Sequence, residues 1–582
     1  RKSFFVSLAG GGSVQTDLVG GLGLSVGSVS ANAGYLPTVL RAGQLDIERR
    51  NYRTLQELLV RFEAFAEGGA VSQLQVDQVK QRLLDSRNRI NNAELNYRNT
   101  LDNFKLQLGL PPTLPLEVET SALRPLTQQL DRYQQILDQY SVFQVEASRD
   151  VGEAAKLRAR YRALLTESHL VSGTTFRERI LGRWGLWEKR TVEELEKQVL
   201  ALREQLRQAL DEKAKLQTAQ KVVPDELDER IDQINREINL ADLERQVRAF
   251  ELQPWLKLAD PAIRERNRRN LLRQAARSLE LVIVEARNER FQALRQSWPT
   301  LPRVCLAGTD LVNSPLEDAY SKSAQYALTN RLDLMNERAQ TVDSWRQIAV
   351  QANSLLGVLD VQYHLDSATP AGGLAPFGFA GSRTNHRLTF DWELPLVRRL
   401  ERNNYRTALI AYQRQRRTLQ ATEDNILNSV RRDLRELRVL AENFRIQQEQ
   451  VALAYFQFES ALETFSEPVA AGGVITPERQ ASLSDQLLRA QQTLNGAQTG
   501  LYNVWINYLS LRMRLYLNLE LLPLDARGVW IDEHATYECP PAVQPADDAA
   551  GAKPVVHERI PQPASDGEIQ WRATTANRKK ES

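Results

Sequence analysis

The chain has 582 residues, enough for several domains, and its acidic and basic side chains nearly cancel to a net charge of +2. A nucleic-acid-binding chain is expected to carry a basic excess, so the charge argues against that class. An apolar content of 42% with only 7% aromatic residues suits long helices with narrow apolar seams. No run of 18 apolar residues occurs, so we expect no transmembrane helix.

Residues 1–112 are predicted to form a helical hairpin behind a glycine-rich loop at 10–34. The glycine clusters of that loop lack a following Gly-Lys-Ser/Thr, which favours a loop over a phosphate-binding site. A helical pattern runs over 35–66. Ser72 is expected to cap a second helix, with Gln75 completing a capping box.

Residues 113–314 are predicted to be a helical insertion. Apolar residues at heptad spacing over 191–250, turned by a proline at Val223-Pro224-Asp225, predict an antiparallel coiled-coil hairpin. A further helix is expected over 261–296. Its many arginines alternate with glutamates, which favours a solvated helix face over a nucleic-acid patch. A helix over 315–357 then leads into the next segment.

Residues 358–395 are predicted to be a β-hairpin, because two runs with a period of two flank a loop rich in glycine and proline. On the second strand the apolar side chains share one face: Leu388, Phe390, Trp392 and Leu394. The polar side chains share the other face: Arg387, Thr389, Asp391 and Glu393.

Residues 396–523 are predicted to form a second and longer helical hairpin. Its first helix, about 399–464, contains no glycine or proline and keeps a coiled-coil seam from Leu434 to Phe465. Thr476 is expected to cap the returning helix, with Pro477 at its first position. Residues 524–582 lack periodicity and are predicted to be disordered.

An internal repeat relates the two helical hairpins. A shift of 404 positions carries Gly68-Gly69 onto Gly472-Gly473 and Val71-Ser72 onto Ile475-Thr476. Both copies end in a leucine-proline pair. We therefore expect two helical hairpins of one design, each with a glycine pair at its tip and an exposed apolar residue just before the cap. That residue either docks a partner or packs as a staple on the neighbouring helix.

The order of these elements resembles the bacterial outer membrane factors, the TolC-like outer membrane efflux proteins, over about 1–112 and 315–523. The residues that carry the resemblance are Ala327–Leu334 before a helix, the β-hairpin, the long helix and the two glycine tips. It implies a mainly α fold, in which long antiparallel coiled-coil hairpins form an α-barrel tunnel joined to a membrane β-barrel completed by trimerisation. It also implies that the first repeat has a hairpin, which would lie before Arg1.

The resemblance further implies where the functional surfaces lie. The tips, expected to contact a periplasmic adaptor linked to an inner-membrane pump, are Gly68, Gly69, Val71, Ser72, Gly472, Gly473, Ile475 and Thr476. Residues near a possible periplasmic gate are Gln75, Asp77, Glu478, Arg479 and Asp485. The apolar strand face would meet outer-membrane lipid, and the polar face would line the lumen. The implied function is export through the outer membrane by a homotrimer.

Catalytic, cofactor and metal sites are not expected. The five histidines have no partners at metal-ligand spacing, although His364 and His386 could face each other across the hairpin. Cys305 and Cys539 are far apart and form neither a disulfide framework nor a zinc pattern. The main alternative is a cytoplasmic coiled-coil scaffold, which explains the helices but not the alternating strands. A secreted structural protein is a third class.

Overall fold

The computed structural model describes residues 2–10, 34–67, 71–150, 154–183, 190–218, 224–257, 260–368, 377–379, 381–393, 398–466, 477–522 and 539. The described part is mainly helical, with long helices. No helix in these ranges is long and apolar enough to cross a membrane. The predicted tail 524–582 lies outside the described residues, apart from Cys539.

The first repeat contains α1 (Lys2–Gly10), α2 (Tyr35–Glu67) and α3 (Gln73–Gln107). The insertion contains α4 (Arg124–Ser148), α5 (Ala154–Glu167), α6 (Thr175–Arg183), α7 (Val192–Thr218), α8 (Asp225–Glu251), α9 (Pro261–Gln296), β1 (Cys305–Leu306) and β2 (Thr309–Asp310). The last part contains α10 (Leu316–Asn330), α11 (Leu332–Asn353), β3 (Val358–Ser367), β4 (Thr384–Glu393), α12 (Arg399–Ser466) and α13 (Pro477–Asn518).

Helix α12 is the long rod that the sequence predicts. It has 68 residues, so it is about 100 Å long at about 1.5 Å per residue. Its heptad seam faces the returning helix α13, and Leu434, Leu437 and Val451 in that seam are fully buried. The predicted seam is therefore confirmed.

The repeat is visible in the helix boundaries. Helix α3 begins at Gln73 and α13 at Pro477, which are separated by the 404 positions of the sequence repeat. Helix α2 packs along α3 and against α13, and these helices share one large apolar core with α4, α9 and α12.

The insertion folds as predicted in outline. Helices α7 and α8 form the expected antiparallel pair, with a small core of their own around Ala209, Leu227 and Ile231. Helix α9 begins at Pro261, where the Asp260 carboxylate accepts a hydrogen bond from the Ala262 amide at 2.8 Å, and ends at Gln296. Helices α4 and α9 pack together and join the insertion to the main core.

Three features were not predicted. Residues 2–10 form helix α1, which packs on α13. Strands β1 and β2 pair as a small hairpin, turned at Ala307 and Gly308, whose positive φ angles suit a two-residue turn. The helix expected over 315–357 breaks at Arg331, whose backbone is extended. Asp333 then accepts a hydrogen bond from the Leu334 amide, which supports a new helix start there.

The two cysteines are joined by a disulfide with a Cα–Cα distance of 5.5 Å, so the expectation of no disulfide is wrong. Cys305 lies buried in β1, and the bond ties Cys539 to it across 234 positions of sequence. Such a pairing depends on the fold, and the spacing of two cysteines does not reveal it.

Candidate functional site

The β-hairpin is the first candidate functional surface. Strands β3 and β4 pair antiparallel over ten residues each, which confirms the predicted hairpin. Cross-strand partners match in character along one face: Leu359 opposes Trp392, Val361 opposes Phe390, and Tyr363 opposes Leu388. Such apolar pairs stabilise a sheet locally.

This apolar face is largely exposed in the part of the chain that the structure describes. Each of its large apolar side chains among the described residues is between 50% and 69% exposed. These side chains contact mainly their cross-strand partners. An isolated two-stranded hairpin is only marginally stable in water. The face therefore needs a further apolar environment. Leu394, predicted for the same face, lies outside the described residues.

The opposite face of the hairpin is polar. Asp391 opposes Asp360, Thr389 opposes Gln362, and Arg387 opposes His364. This agrees with the predicted alternation of Arg387, Thr389 and Asp391 on one side of the strand. Glu393 pairs with Val358 in the backbone register.

The two hairpin histidines do not face each other, so that expectation is wrong. His386 opposes Leu365 and shares a hydrogen bond with the Tyr363 hydroxyl, whereas His364 opposes Arg387 on the other face. An odd difference in register puts the two rings on opposite sides of the sheet. In the described part of the chain, no group of three or more His, Cys, Asp or Glu could hold a metal ion.

The tip of the first helical hairpin differs from the expectation. Val71 is only 7% exposed and belongs to the main core, so the idea that it is an exposed apolar residue is wrong. It packs inward beside the cap as a staple does. The exposed apolar side chain here is Leu74, at 69%, on the outer side of the first turn of α3. Among the other predicted tip residues, Gly68, Gly69, Gly472, Gly473, Ile475 and Thr476 lie outside the described residues.

The capping box at Ser72 explains the position of Gln75. The Gln75 side-chain oxygen accepts a hydrogen bond from the Ser72 amide at 3.1 Å, and Gln75 is buried. Gln75 is therefore held by the capping box, and its assignment to a gate stays a prediction.

The remaining gate candidates are at the surface. Asp77 is exposed and accepts a hydrogen bond from the side-chain nitrogen Nε2 of Gln73 at 3.2 Å. Glu478 and Arg479 are exposed in the first turn of α13, and Asp485 forms an ion pair with Arg489 at 2.7 Å. Their assignment to a gate stays a prediction.

Helix α12 carries a second apolar stripe that the sequence analysis did not single out. Val439, Ile446 and Leu453 are seven positions apart and are 58%, 45% and 54% exposed. Each follows a residue of the buried seam by two positions, which places the stripe about 200° around the helix at about 100° per residue. The stripe thus lies on the side of α12 opposite α13. Helix α11 also exposes apolar side chains: Leu332, Met335, Val342, Trp345 and Val350.

A buried ionic cluster joins the insertion to α12. Arg287 of α9 donates hydrogen bonds at 2.6 Å to Glu459 and to Glu463, and the Tyr140 hydroxyl of α4 donates to Glu463 at 2.7 Å. The Arg287 guanidinium also lies 4.7 Å from the centre of the Tyr140 ring. The prediction that the arginines of α9 are solvated therefore fails at Arg287, whose side chain is 7% exposed. A signal is present in the spacing of α9, because Arg287 lies four positions after the buried Ile283 and four before the buried Phe291, on the apolar face of the helix.

Burial shapes the protonation of this cluster. Burial and the neighbouring Glu463 raise the pKa of Glu459 to about 7, with Arg287 opposing the shift. Burial and Glu463 likewise raise the pKa of Glu280 to about 7. A cavity of about 390 Å³ between α2, α4, α12 and α13 adjoins the cluster.

No family model and no curated protein sequence matches this chain significantly. Crystal structures of CusC, concerned with folding and transmembrane channel formation, share 14% identity and a TM-score of 0.29 over 67% of this chain and 74% of that chain. The open outer membrane channel MtrE of Neisseria gonorrhoeae shares 14% identity and a TM-score of 0.27 over 49% of this chain and 62% of that chain. The outer membrane channel CmeC of Campylobacter jejuni shares 13% identity and a TM-score of 0.27 over 63% and 66%.

These neighbours are channels and not enzymes. With identities of 13–14% and TM-scores below 0.3, the chains do not superpose as wholes.

Proposed function

We propose that this chain is the outer-membrane channel component of a tripartite efflux or type I secretion system. It would pass small molecules or proteins from a periplasmic adaptor and an inner-membrane pump to the exterior. The observation that supports this most is the β3–β4 hairpin, which has one apolar and one polar face and leaves both uncovered. Strands of a membrane barrel alternate in this way between lipid and a polar lumen.

The length of the hairpin fits a membrane. Ten residues at about 3.4 Å each give a strand of about 34 Å. At a tilt of about 45° such a strand covers about 24 Å of the membrane normal, close to the apolar band of about 25 Å in outer-membrane barrels. Phe390 and Trp392 would then face lipid, and Thr389 and Asp391 the lumen.

Closure of the barrel requires further copies. The outer edges of β3 and β4 carry backbone groups that pair with no other strand of the described chain. In a bilayer each unpaired group costs several kcal/mol, so only a closed barrel is viable. We propose a homotrimer, in which the exposed stripes of α11 and α12 are also covered by neighbouring copies.

The disulfide favours the cell envelope over the cytoplasmic scaffold alternative. Disulfides persist in oxidising compartments such as the periplasm and are rare in the cytosol. Cys305 and Cys539 are bonded here, and the apolar hairpin face has no role in a cytoplasmic coiled coil. At the tip of the first repeat, Leu74 is the apolar side chain that is free to meet an adaptor.

A matched pair of hairpin substitutions tests the proposal. Phe390→Arg places a charge on the proposed lipid face and should destabilise the barrel by about 2–4 kcal/mol if it lies near the midplane. Asp391→Arg, one position away on the proposed lumen face, should be tolerated and should change ion conductance. The measurements are outer-membrane fractionation of the full gene product and single-channel recording of the purified protein.

Two outcomes would contradict the proposal. If Phe390→Arg and Asp391→Arg reach the membrane equally well, the two faces do not differ in environment. If the wild-type protein fractionates with the cytosol as a monomer, the scaffold alternative is favoured instead.

A further inference from the structure

The contact between the insertion and α12 has an apolar part and an ionic part. The apolar part is an aromatic stack in which Tyr133 of α4 lies 4.9 Å from the Tyr455 ring and 5.7 Å from the Phe291 ring, centre to centre. Phe291 in turn lies 4.9 Å from Phe456. The ionic part is the cluster around Arg287. It lies about one turn before Phe291 on α9 and one turn after Tyr455 on α12.

The ionic part carries an excess of negative charge. Arg287 is shared by Glu459 and Glu463, and Glu280 lies two turns before Arg287 on the same face of α9. Glu459 is the most deeply buried of these carboxylates, with a side chain only 5% exposed. One of its oxygens accepts from Arg287, and the other, Oε2, is buried without a hydrogen-bond partner in the described part of the chain.

We propose that this contact is a proton-operated joint, in which a proton on Glu459 tightens the attachment of the insertion to α12 and its loss loosens that attachment. With the proton on Oε2, Arg287 and Glu463 form a balanced ion pair. Without it, two carboxylates share one guanidinium, and the deeply buried Glu459 keeps an uncompensated charge, which is costly. The joint requires no channel activity, so the test of the joint is independent of the proposed function.

Charged groups on four helices face the cluster or the cavity beside it. The groups facing the cluster from the packed elements are Arg277 and Glu280 on α9, Tyr140 on α4 and Glu463 on α12. Arg50, Arg53, Glu57 and Arg61 of α2 and Asp138 of α4 line the neighbouring cavity, and in the described part of the chain the ion pair of Glu459 is with Arg287. Helix α13 contributes amides to that cavity, such as Gln491 and Asn495.

The direction of the pH effect follows from the protonation of Glu459 and Glu280. Each has a pKa raised from an ordinary 4.5 to about 7 in the folded protein. The folded joint therefore holds protons that the opened joint releases, so closure is favoured at pH 5 and is weakened as the pH rises through about 7.

The position of the joint gives it a mechanical consequence. Glu459 precedes the last residue of α12, Ser466, by seven positions, or about 10 Å of helix. A change in attachment at Glu459 therefore acts close to the end of the rod where α12 is followed by α13. The stability of the contact between the insertion and this end of α12 would thus depend on pH.

Hydrogen exchange on the intact purified chain tests the joint. After correction for intrinsic exchange rates, the amides of peptides 280–291 and 452–463 should exchange at least about tenfold faster at pH 8 than at pH 5.5. Glu459→Gln imitates the protonated form and should keep both peptides protected at pH 8. Glu442→Gln changes an exposed glutamate of the same helix and should retain the wild-type pH dependence.

The outcomes are decisive in either direction. Equal protection of the wild type at both pH values overturns the proposal, and so does a pH dependence that persists unchanged in Glu459→Gln. If Glu459→Gln fails to fold, as judged by circular dichroism, Glu280→Gln takes its place and should remove part of the pH dependence. Retention of the full dependence in Glu280→Gln, with Glu459→Gln unfolded, also counts against the joint.

Discussion

The exposed stripe on α12 allows a sharp test of self-association. Val439→Ala, Ile446→Ala and Leu453→Ala together would remove its apolar area while keeping residues that favour helix. About half of each side chain is exposed in the single chain. Since full burial of such a side chain contributes about 1.5–3 kcal/mol, covering the stripe by a neighbouring copy contributes about 2–4 kcal/mol per interface.

The expected result is weaker assembly without loss of the fold. A loss of about 2–4 kcal/mol weakens association by about 30- to 700-fold. Sedimentation in detergent should show that the oligomer of the triple variant dissociates at a higher protein concentration than the wild-type oligomer does. The helicity measured by circular dichroism should be unchanged. The control is Leu200→Ala, which alters an equally exposed leucine on the coiled-coil helix α7.

One result would refute this reasoning. If the triple variant sediments like the wild type at every concentration, the stripe faces solvent in the assembly and contributes nothing to it. If instead the single chain melts at a lower temperature, the stripe supports the fold of the protomer and not the contact between copies.

Four further predictions concern the protomer itself. Leu437→Ala removes a fully buried seam residue and should lower the free energy of unfolding by about 2–5 kcal/mol, measured by denaturant titration. Gly43→Ala should destabilise by about 1–3 kcal/mol, because a Cβ there would lie 2.5 Å from a buried leucine methyl group. Gly496→Ala meets open space and should stabilise its helix by up to about 1 kcal/mol, as thermal melting would show. Paired Cys305→Ser and Cys539→Ser should lower the melting temperature only under oxidising conditions, and an equal loss in reductant would contradict a stabilising bond.

The sequence predicts the parts of this fold that depend on local periodicity. The alternation of Thr389, Phe390 and Asp391 fixes the two faces of a strand, whatever it later meets. The seven-residue spacing of Leu437 and its neighbours likewise fixes the side of α12 that α13 covers. In both cases the pattern extends over several repeats of its period.

Other features could not be predicted because they depend on contacts between distant segments. Arg287 falls on the apolar face of α9 between Ile283 and Phe291, but its partners Glu459 and Glu463 come from α12 and cannot be identified from that spacing. The pairing of Cys305 with Cys539 is of the same kind. Val71 shows a third case, since an apolar residue before a cap can point inward or outward with the same sequence pattern.

The two sides of α12 separate the assembly from the proposed joint. Val439, Ile446 and Leu453 lie on one side of the helix, whereas Glu459 lies about 200° around from Val439, on the side of the buried seam. Opening the joint therefore disturbs contacts within one chain and leaves the stripe in place. It follows that the alanine variants of the stripe should keep the pH dependence of hydrogen exchange, while Glu459→Gln should keep the wild-type oligomeric state. A variant at either position that altered both properties would show that the protomer contact and the joint act as a single unit.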